Sequence, residues 1–159
     1  NDCKYGISMN GNALELTLLR ASATPEMRAD NEIHTFTYAF TAWEGSFADC
    51  DVVRQGYELN VKPPVTAGSR KYFSAVAIAK DNVILDTMKP AEDGSGDIIL
   101  RLYESKKAAV ETAVCLQFGA GRAYLCDMLE NIVEEIDVTN GKMTLQFHAF
   151  EIKTVRIKR

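Results

Sequence analysis

Alternation of apolar and polar residues is the most extended pattern in this chain, and it predicts a β-rich fold. Three leucines alternate with polar residues over 13–20, which predicts a half-buried strand. Residues 21–32 are polar and are predicted to form a loop. Residues 33–42 alternate again, and we expect their aromatic face to lie in a core: His34, Phe36, Tyr38 and Phe40.

The apolar spacing changes to a helical period between Phe47 and Leu59. This predicts the only helix of the chain, a short one, with Asp49 or Asp51 as its N-cap. The segment 62–69 follows, where two prolines and a Gly-Ser pair interrupt both periodicities. We therefore predict a first domain over 1–62, a linker over 63–71 and a second domain over 72–159.

The second domain is predicted to consist of eight short strands, whose near-regular spacing indicates a β-sandwich. The predicted turn 90–97 separates two of them, and Asn140-Gly141 supplies the two positive φ angles of a tight hairpin joining two others. Met143, Leu145 and Phe147 alternate on one face, and Ile152, Val155 and Ile157 continue the apolar pattern. The predicted strands are 73–78, 83–89, 98–104, 109–118, 122–125, 133–138, 143–149 and 151–158.

The first sixty residues are too few to form a closed β unit. Two strands and one helix leave sheet edges exposed and bury little apolar surface. The sequence also starts at Asn1 rather than at methionine. We therefore expect this chain to be a piece of a longer protein whose missing strands lie upstream.

Composition and charge narrow the classes of partner. The chain has 159 residues with 47% apolar and 25% charged residues, which is typical of a globular protein of one domain or two small ones. Its net charge of −4 argues against nucleic acids and anionic membranes as partners. No apolar stretch approaches the roughly 18 residues that a membrane helix requires.

The four cysteines are Cys3, Cys50, Cys115 and Cys126, and none forms a CxxC pair. They indicate reduced, buried thiols in a cytoplasmic protein. A disulfide in a secreted or lumenal protein is the alternative.

Residues with catalytic potential are few and poorly arranged for chemistry. His34 and His148 each stand alone in a strand pattern, which predicts core or surface histidines rather than zinc ligands. The adjacent carboxylates Glu92-Asp93 and Glu134-Glu135 do not converge if they lie in strands. The Gly94-Ser95-Gly96 segment lacks the following helix of a phosphate-binding loop, so a hairpin turn is expected. No nucleophile motif of a serine or cysteine hydrolase is present.

Sugar binding in proteins commonly uses exposed aromatic rings. Trp43 is the only tryptophan, and it is the candidate for stacking on a pyranose. The tyrosines offer further rings, although packing explains most such residues: Tyr5, Tyr57, Tyr72 and Tyr103.

Several ordered motifs carry a family resemblance. They are NDCKYG at 1–6, LTLLR at 16–20, HTFTY at 34–38, the run from Val83 to Glu104, and FEIKTVRI at 150–157. Together they resemble the C-terminal region of glycoside hydrolase family 38, the retaining α-mannosidases. Trp43-Glu44-Gly45 departs from the family's usual pattern at that point.

The resemblance implies an all-β fold with one short helix. Residues 1–62 would be the supersandwich-like, galactose-mutarotase-like end of a large β-domain, and a C-terminal β-sandwich would follow. The parent enzyme would hydrolyse terminal α-mannose from oligosaccharides with an Asp nucleophile and a zinc ion, both in an N-terminal catalytic domain. That domain and the mannosyl substrate would be the partners of this chain.

The resemblance assigns no catalytic residue and no metal ligand to this chain. Retaining glycosidases need two carboxyl groups about 5 Å apart, and no pair here is predicted to meet that requirement. Arg20 is the residue carried over as a substrate-side contact, because a guanidinium can bind sugar hydroxyls in a bidentate manner. A structural ion pair is the alternative role for Arg20.

Two other functions stay open at the level of sequence. The chain could be an independent carbohydrate-binding β-sandwich, in which case Trp43 would be needed for mannoside binding. It could also be a structural β-domain that drives homo-oligomerisation.

Overall fold

A computed structural model describes residues 6–69 and 72–158 of the chain. The chain divides into two compact units, the first over Asn1–Ala67 and the second over Gly68–Arg159. The described residues form three antiparallel sheets and one α-helix, which confirms the predicted all-β class with one short helix. No helix among these residues is long and apolar enough to cross a membrane.

The first unit contains one hairpin and one helix. Strands β1 (Ile7–Asn10) and β2 (Ala13–Leu16) pair antiparallel around a two-residue turn that begins at Gly11, where φ is +58°. The sequence predicted no strand at β1, and β2 ends at Leu16 rather than at residue 20. A 3₁₀ turn (Phe47–Asp49) leads to helix α1 (Val52–Asn60), close to the predicted helix.

The predicted cap of the helix is only partly right. Asp51 occupies the N-cap position, but its side chain makes no capping hydrogen bond. The Asp49 carboxylate instead accepts hydrogen bonds from the backbone N–H of Ser46 at 2.9 Å and from its hydroxyl at 2.8 Å. Asp49 therefore stabilises the 3₁₀ turn before the helix rather than the helix itself.

The prediction of a strand over 33–42 is wrong. The sheets formed by the described residues do not include this segment, and Tyr38 and Phe40 are 61% and 78% exposed. His34 and Phe36 still stack with ring centroids 6.1 Å apart, as neighbours on one side of an extended chain do. The aromatic face has no core to enter, because Cys50 is the only buried residue in the described part of the first unit.

The second unit is a β-sandwich of a five-stranded and a three-stranded sheet. The five-stranded sheet has the order β4-β5-β10-β7-β8, and the three-stranded sheet has the order β3-β6-β9. All eight predicted strands of this unit are confirmed, with ends that shift by a few residues. They are β3 (Val76–Ile78), β4 (Val83–Pro90), β5 (Ile98–Glu104), β6 (Val110–Leu116), β7 (Arg122–Cys126), β8 (Ile132–Ile136), β9 (Lys142–Phe147) and β10 (Ile152–Lys158).

The core lies between the two sheets and follows the predicted alternation. Met143, Leu145 and Phe147 are buried on β9, as expected from their spacing. Val155 and Ile157 are fully buried on β10, where they face the same core. Ile152 is exposed, because it lies three and five positions before Val155 and Ile157, and an odd offset along a strand places it on the opposite face.

The Asn-Gly turn has the predicted backbone but a different role. Asn140 and Gly141 have φ angles of +52° and +72°, and the backbones of Thr139 and Lys142 exchange hydrogen bonds of 2.9 and 3.0 Å. The predicted pairing of the flanking strands is wrong, since β8 pairs with β7 and β9 pairs with β6. The turn therefore carries the chain from one sheet to the other.

Candidate functional site

The two candidate sugar contacts, Arg20 and Trp43, both lie in the first unit. Arg20 follows β2, is exposed, and makes no ion pair or hydrogen bond within the described part of the chain. Trp43 is about half exposed at the end of the extended segment. No contact joins Arg20 to Trp43 among the described residues, so the structure does not bring them into one site by direct interaction.

The adjacent carboxylates Glu92 and Asp93 bind different cations. Glu92 pairs with Lys89 at 2.6 Å, and Asp93 pairs with Arg156 at 2.6 Å. The Ser95 hydrogen bond, and then the Arg156 guanidinium, hold the pKa of Asp93 well below its usual range. A general acid needs a raised pKa near the working pH, so Asp93 is suited to a permanent ion pair rather than to proton transfer.

The second acidic pair, Glu134 and Glu135, lies exposed on β8 at the edge of the five-stranded sheet. Their cross-strand neighbours differ: Glu134 lies opposite Leu125, and Glu135 lies opposite Tyr124. Glu135 is 3.8 Å from the Arg122 guanidinium. Successive residues of a strand point to opposite faces, so this pair is arranged as two separate surface charges.

Arg156 organises the turn between β4 and β5, which sequence reasoning did not find. Its Nε lies 2.7 Å from Asp97, and its Nη2 donates to Asp93 at 2.6 Å and to the Ser95 hydroxyl at 2.9 Å. Gly94 and Gly96 have φ angles of +71° and +84°, which confirms the predicted turn at Gly-Ser-Gly. The turn is thus tied to the outer face of the five-stranded sheet by one guanidinium.

Glu130 forms a second ionic centre that the sequence did not reveal. Its buried carboxylate lies 2.6 Å from Lys89 Nζ and accepts a hydrogen bond from the Glu92 backbone N–H at 2.9 Å. The Lys89 ammonium, followed by that N–H, lowers the pKa of Glu130. This centre fastens the loop between β7 and β8 to β4.

Glu104 is a third structural carboxylate, fully buried at the end of β5. Its oxygens accept hydrogen bonds from the Asn82 amide at 3.0 Å, the Lys106 N–H at 2.7 Å and the Phe150 N–H at 2.9 Å. Burial acts to raise the pKa of Glu104, but these donors outweigh it and the pKa is lowered. Three loops therefore converge on one charge.

These pKa directions have a common consequence for chemistry. Six carboxyl groups in the described part of the chain have a pKa that is shifted downward: Asp81, Asp93, Glu104, Asp127, Glu130 and Glu151. Glycosidases need one carboxyl group that keeps its proton near the working pH. The lowered pKa values favour the ionised form of these six carboxyl groups instead.

The two histidines take part in different local hydrogen bonds. His34 Nε2 is 2.8 Å from the Asp30 carbonyl oxygen, and the His148 backbone N–H donates to Glu151 at 2.7 Å. Among the described residues, no group of three or more His, Cys, Asp or Glu side chains is arranged to hold a metal ion. The described residues therefore do not fit a zinc centre.

A polar groove runs beside β9, where the sandwich is open between its sheets. One part encloses about 320 Å³ and is lined by Glu134, Glu135, Thr144, Gln146 and Lys153, among others. Lys153 is already engaged, since its Nζ lies 2.8 Å from Glu151 and 5.8 Å from the centre of the Phe147 ring. Phe147 is buried, so this groove does not present the exposed aromatic ring on which a sugar would stack.

The fold and its contacts define a class: an all-β region whose second unit is a β-sandwich that is stabilised by several ion pairs. Residues 82–155 match the family model described as the glycosyl hydrolases family 38 C-terminal beta sandwich domain. The chain is also 34% identical over 160 residues to Alpha-mannosidase 2C1 of Homo sapiens, covering 96% of this chain and 15% of that protein.

Two further relatives agree. Alpha-mannosidase G of Dictyostelium discoideum is 32% identical over 166 residues, with 98% of this chain and 15% of that protein covered. Alpha-mannosidase of Saccharomyces cerevisiae is 28% identical over 183 residues, with 99% of this chain and 17% of that protein covered. The chain thus spans about one sixth of the length of the curated relatives it matches.

These findings confirm the resemblance drawn from the motifs. Residues 82–155 belong to the C-terminal β-sandwich domain of glycoside hydrolase family 38, within a chain that resembles α-mannosidases over nearly its whole length.

Proposed function

We propose that this chain is the non-catalytic C-terminal β-region of a retaining α-mannosidase. The parent enzyme would hydrolyse terminal α-mannose from oligosaccharides. The observation that carries the proposal is the match of 82–155 to the family 38 sandwich domain, together with α-mannosidase relatives over 96% or more of the chain.

The non-catalytic role is supported by the state of the carboxylates. In the three structural centres around Arg156, Glu130 and Glu104, the pKa values of Asp93, Glu130 and Glu104 are lowered, which keeps these carboxyl groups ionised. The Asp nucleophile and the zinc ion are assigned to an N-terminal catalytic domain outside this sequence, in keeping with the family and with the lack of a suitable ligand group among the described residues. That catalytic domain is the proposed partner of the chain.

Residues 1–62 are proposed to be the end of a larger β-domain, with 63–71 as linker and 72–159 as C-terminal sandwich. The support is the burial in the described part of the first unit, where Cys50 alone is buried while many large apolar side chains stay exposed. A unit of this size without a core cannot offset the entropy of folding by itself. Strands supplied by the preceding polypeptide would cover the aromatic face at 34–40.

Arg20 is proposed to contact the mannosyl substrate in the assembled enzyme, and Trp43 to lie against a sugar ring. Both side chains are exposed, and Arg20 makes no ion pair with another described residue, which supports their availability for such contacts. The test is Arg20→Lys and Arg20→Ala in the full-length enzyme, with Arg54→Ala on the exposed face of α1 as the control. A bidentate sugar contact predicts that both Arg20 variants lower kcat/KM while the control does not.

The cytoplasm is the proposed compartment of the parent. Cys50, Cys115 and Cys126 are unpaired thiols, which supports a reducing environment; Cys3 lies outside the described residues. The test is to unfold the protein without reductant, alkylate it and count the alkyl groups by mass spectrometry. Alkylation of all four cysteines of this sequence requires that all four are free thiols.

Two alternative functions of the chain would give different experimental results. An independent glycan-binding module would bind mannosides saturably and lose that binding on Trp43→Ala. A structural oligomerisation domain would form a stable dimer without affinity for sugar. Neither has a supporting feature as specific as the family match.

The proposal is tested by truncation of the parent enzyme. Removal of the residues that correspond to 72–159 exposes the surface they cover, so we expect loss of soluble, active α-mannosidase. Full activity and unchanged stability of the truncated enzyme would show that the sandwich is dispensable and would contradict its role as part of the enzyme's folded core.

A further inference from the structure

The loop from Asp127 to Asn131, between β7 and β8, is closed by its own first side chain. The Asp127 carboxylate accepts hydrogen bonds from the Leu129 N–H at 2.8 Å, from the Asn131 N–H at 2.9 Å and from the Asn131 amide at 2.9 Å. The Asp127 N–H also donates to the Asn131 carbonyl at 3.0 Å. Four hydrogen bonds within five residues give the loop one defined conformation.

The same loop is fastened to the sheet beneath it. Glu130, with φ of +70°, turns its buried carboxylate inward to Lys89 and to the Glu92 N–H. The Met128 carbonyl accepts a hydrogen bond from Arg101 at 3.2 Å. Leu129 and Asn131, on either side of Glu130, are both exposed.

Four of the exposed residues on this loop and at the start of β8 are apolar. Leu129 is 83% exposed and Val133 is 65% exposed, and Met128 and Ile132 are about half exposed. We call these four residues the apolar corner: Met128, Leu129, Ile132 and Val133. A single exposed leucine is ordinary, but four apolar side chains within six residues, two on the fixed loop and two at the start of β8, form a preorganised contact surface.

We propose that the apolar corner docks the C-terminal sandwich onto the part of the parent α-mannosidase that lies outside this sequence. This inference rests on the proposed function, and it identifies the surface through which the sandwich contacts the rest of the enzyme. The chain spans only 15–17% of its relatives, so most of the polypeptide that could cover the corner is absent here.

The size of the corner favours a partner in the same polypeptide over a second copy of the chain. Stable protein dimers bury about 800 Å² on each partner, from about 20–30 residues, and four residues cannot supply that area. A contact within one polypeptide avoids the entropy cost of association, so a small apolar surface is sufficient.

Site-specific photo-crosslinking of the full-length enzyme tests the proposal. Benzoylphenylalanine is placed at position 129 and, as a matched control, at position 107, an exposed lysine in the turn before β6. We expect an intramolecular crosslink from position 129 to a peptide outside the residues that correspond to this chain, with a higher yield than from position 107. A crosslink to a second copy, a crosslink to residues 6–67, or equal yields at both positions would overturn the proposal.

A substitution gives an independent readout. Leu129→Asp in the full-length enzyme should raise the rate of proteolysis within segment 61–69 by about tenfold or more. The factor follows because the free energy of burying one leucine side chain corresponds to at least a tenfold change in an equilibrium constant. Ile152→Asp, at an exposed residue outside the corner, should change the rate less than Leu129→Asp does. Equal effects of the two substitutions would contradict the corner's role.

Activity on an α-mannoside is measured on the same unmodified enzyme. An active enzyme without the crosslink refutes the docking surface and leaves the proposed function intact. An inactive enzyme with the crosslink refutes the proposed function and leaves the docking surface intact.

Discussion

Glu104→Gln is the substitution that tests the packing of the sandwich most sharply. The side chain keeps its shape, but one of its two acceptor oxygens becomes an NH₂ donor. The native carboxylate accepts three hydrogen bonds, from Asn82, Lys106 and Phe150. Whichever way the new amide is oriented, at least one buried N–H faces another donor.

The expected loss of stability follows from these contacts. An unpaired buried N–H costs about 1–3 kcal/mol. The remaining hydrogen bonds lose the assistance of a full charge, which adds about 1 kcal/mol. We therefore expect Glu104→Gln to lower the free energy of unfolding by about 2–4 kcal/mol, and to lower the Tm by at least about 8 °C for a unit of roughly ninety residues.

The dependence on pH provides a second signature. Because the pKa of Glu104 is lowered from its ordinary value of 4.5 in the folded chain, its contribution is present above pH 4.5 and is lost as the pH falls through the folded pKa. The stability gap between wild type and Glu104→Gln should thus be constant above pH 4.5 and narrow below it. Glutamine does not titrate, so only the wild type changes.

The assay is urea unfolding of the 159-residue chain followed by circular dichroism of the β-signal. The matched control is Glu111→Gln on β6, where an exposed carboxylate accepts one hydrogen bond from Gln146 at 3.0 Å. Its effect should stay within about 0.5 kcal/mol. A Glu104→Gln effect of similar size, or a gap that does not change between pH 5 and pH 3, would refute the reasoning.

The remaining predictions concern the turns. Gly141→Ala should cost more than Gly94→Ala in urea unfolding, because both glycines have positive φ but only at Gly141 would a Cβ meet the Leu116 carbonyl oxygen at 2.9 Å; equal losses would show that the contact is irrelevant. Arg156→Lys should lower the free energy of unfolding by about 1–3 kcal/mol, since an ammonium cannot keep the hydrogen bonds of the guanidinium to Asp93, Ser95 and Asp97 together. The matched Arg122→Lys, at an exposed pair 3.8 Å from Glu135, should be near neutral, and a loss equal to that of Arg156→Lys would contradict the structural role of Arg156.

The strands of the sandwich could be predicted because burial and sequence period agree there. Each strand has one face in the core, so β9 alternates buried and exposed residues along its length. The segment 33–42 shows the same alternation and yet joins no sheet among the described residues. Alternation reveals which face of a segment is apolar, but the segment forms a strand only where a neighbouring strand supplies partners for its backbone hydrogen bonds.

The ionic centres could not be predicted, because they depend on strand register. Arg156 meets Asp97 and Asp93 across 59 and 63 residues of sequence, and Glu130 meets the Glu92 N–H across 38 residues. A partial signal was present for Arg156: a lone arginine between apolar core residues of a strand points to the outer face, where an acidic turn is a natural partner. The Asn-Gly turn shows the same limit, since its sequence determined the backbone but not which strands pair.

Under the proposed function, this chain completes an α-mannosidase without performing its chemistry. The most direct test compares hydrolysis of a chromogenic α-mannoside by the full-length parent and by the isolated 159-residue chain, both with added zinc. We expect hydrolysis by the parent alone. Zinc-dependent hydrolysis by the isolated chain, or an inactive parent, would contradict it.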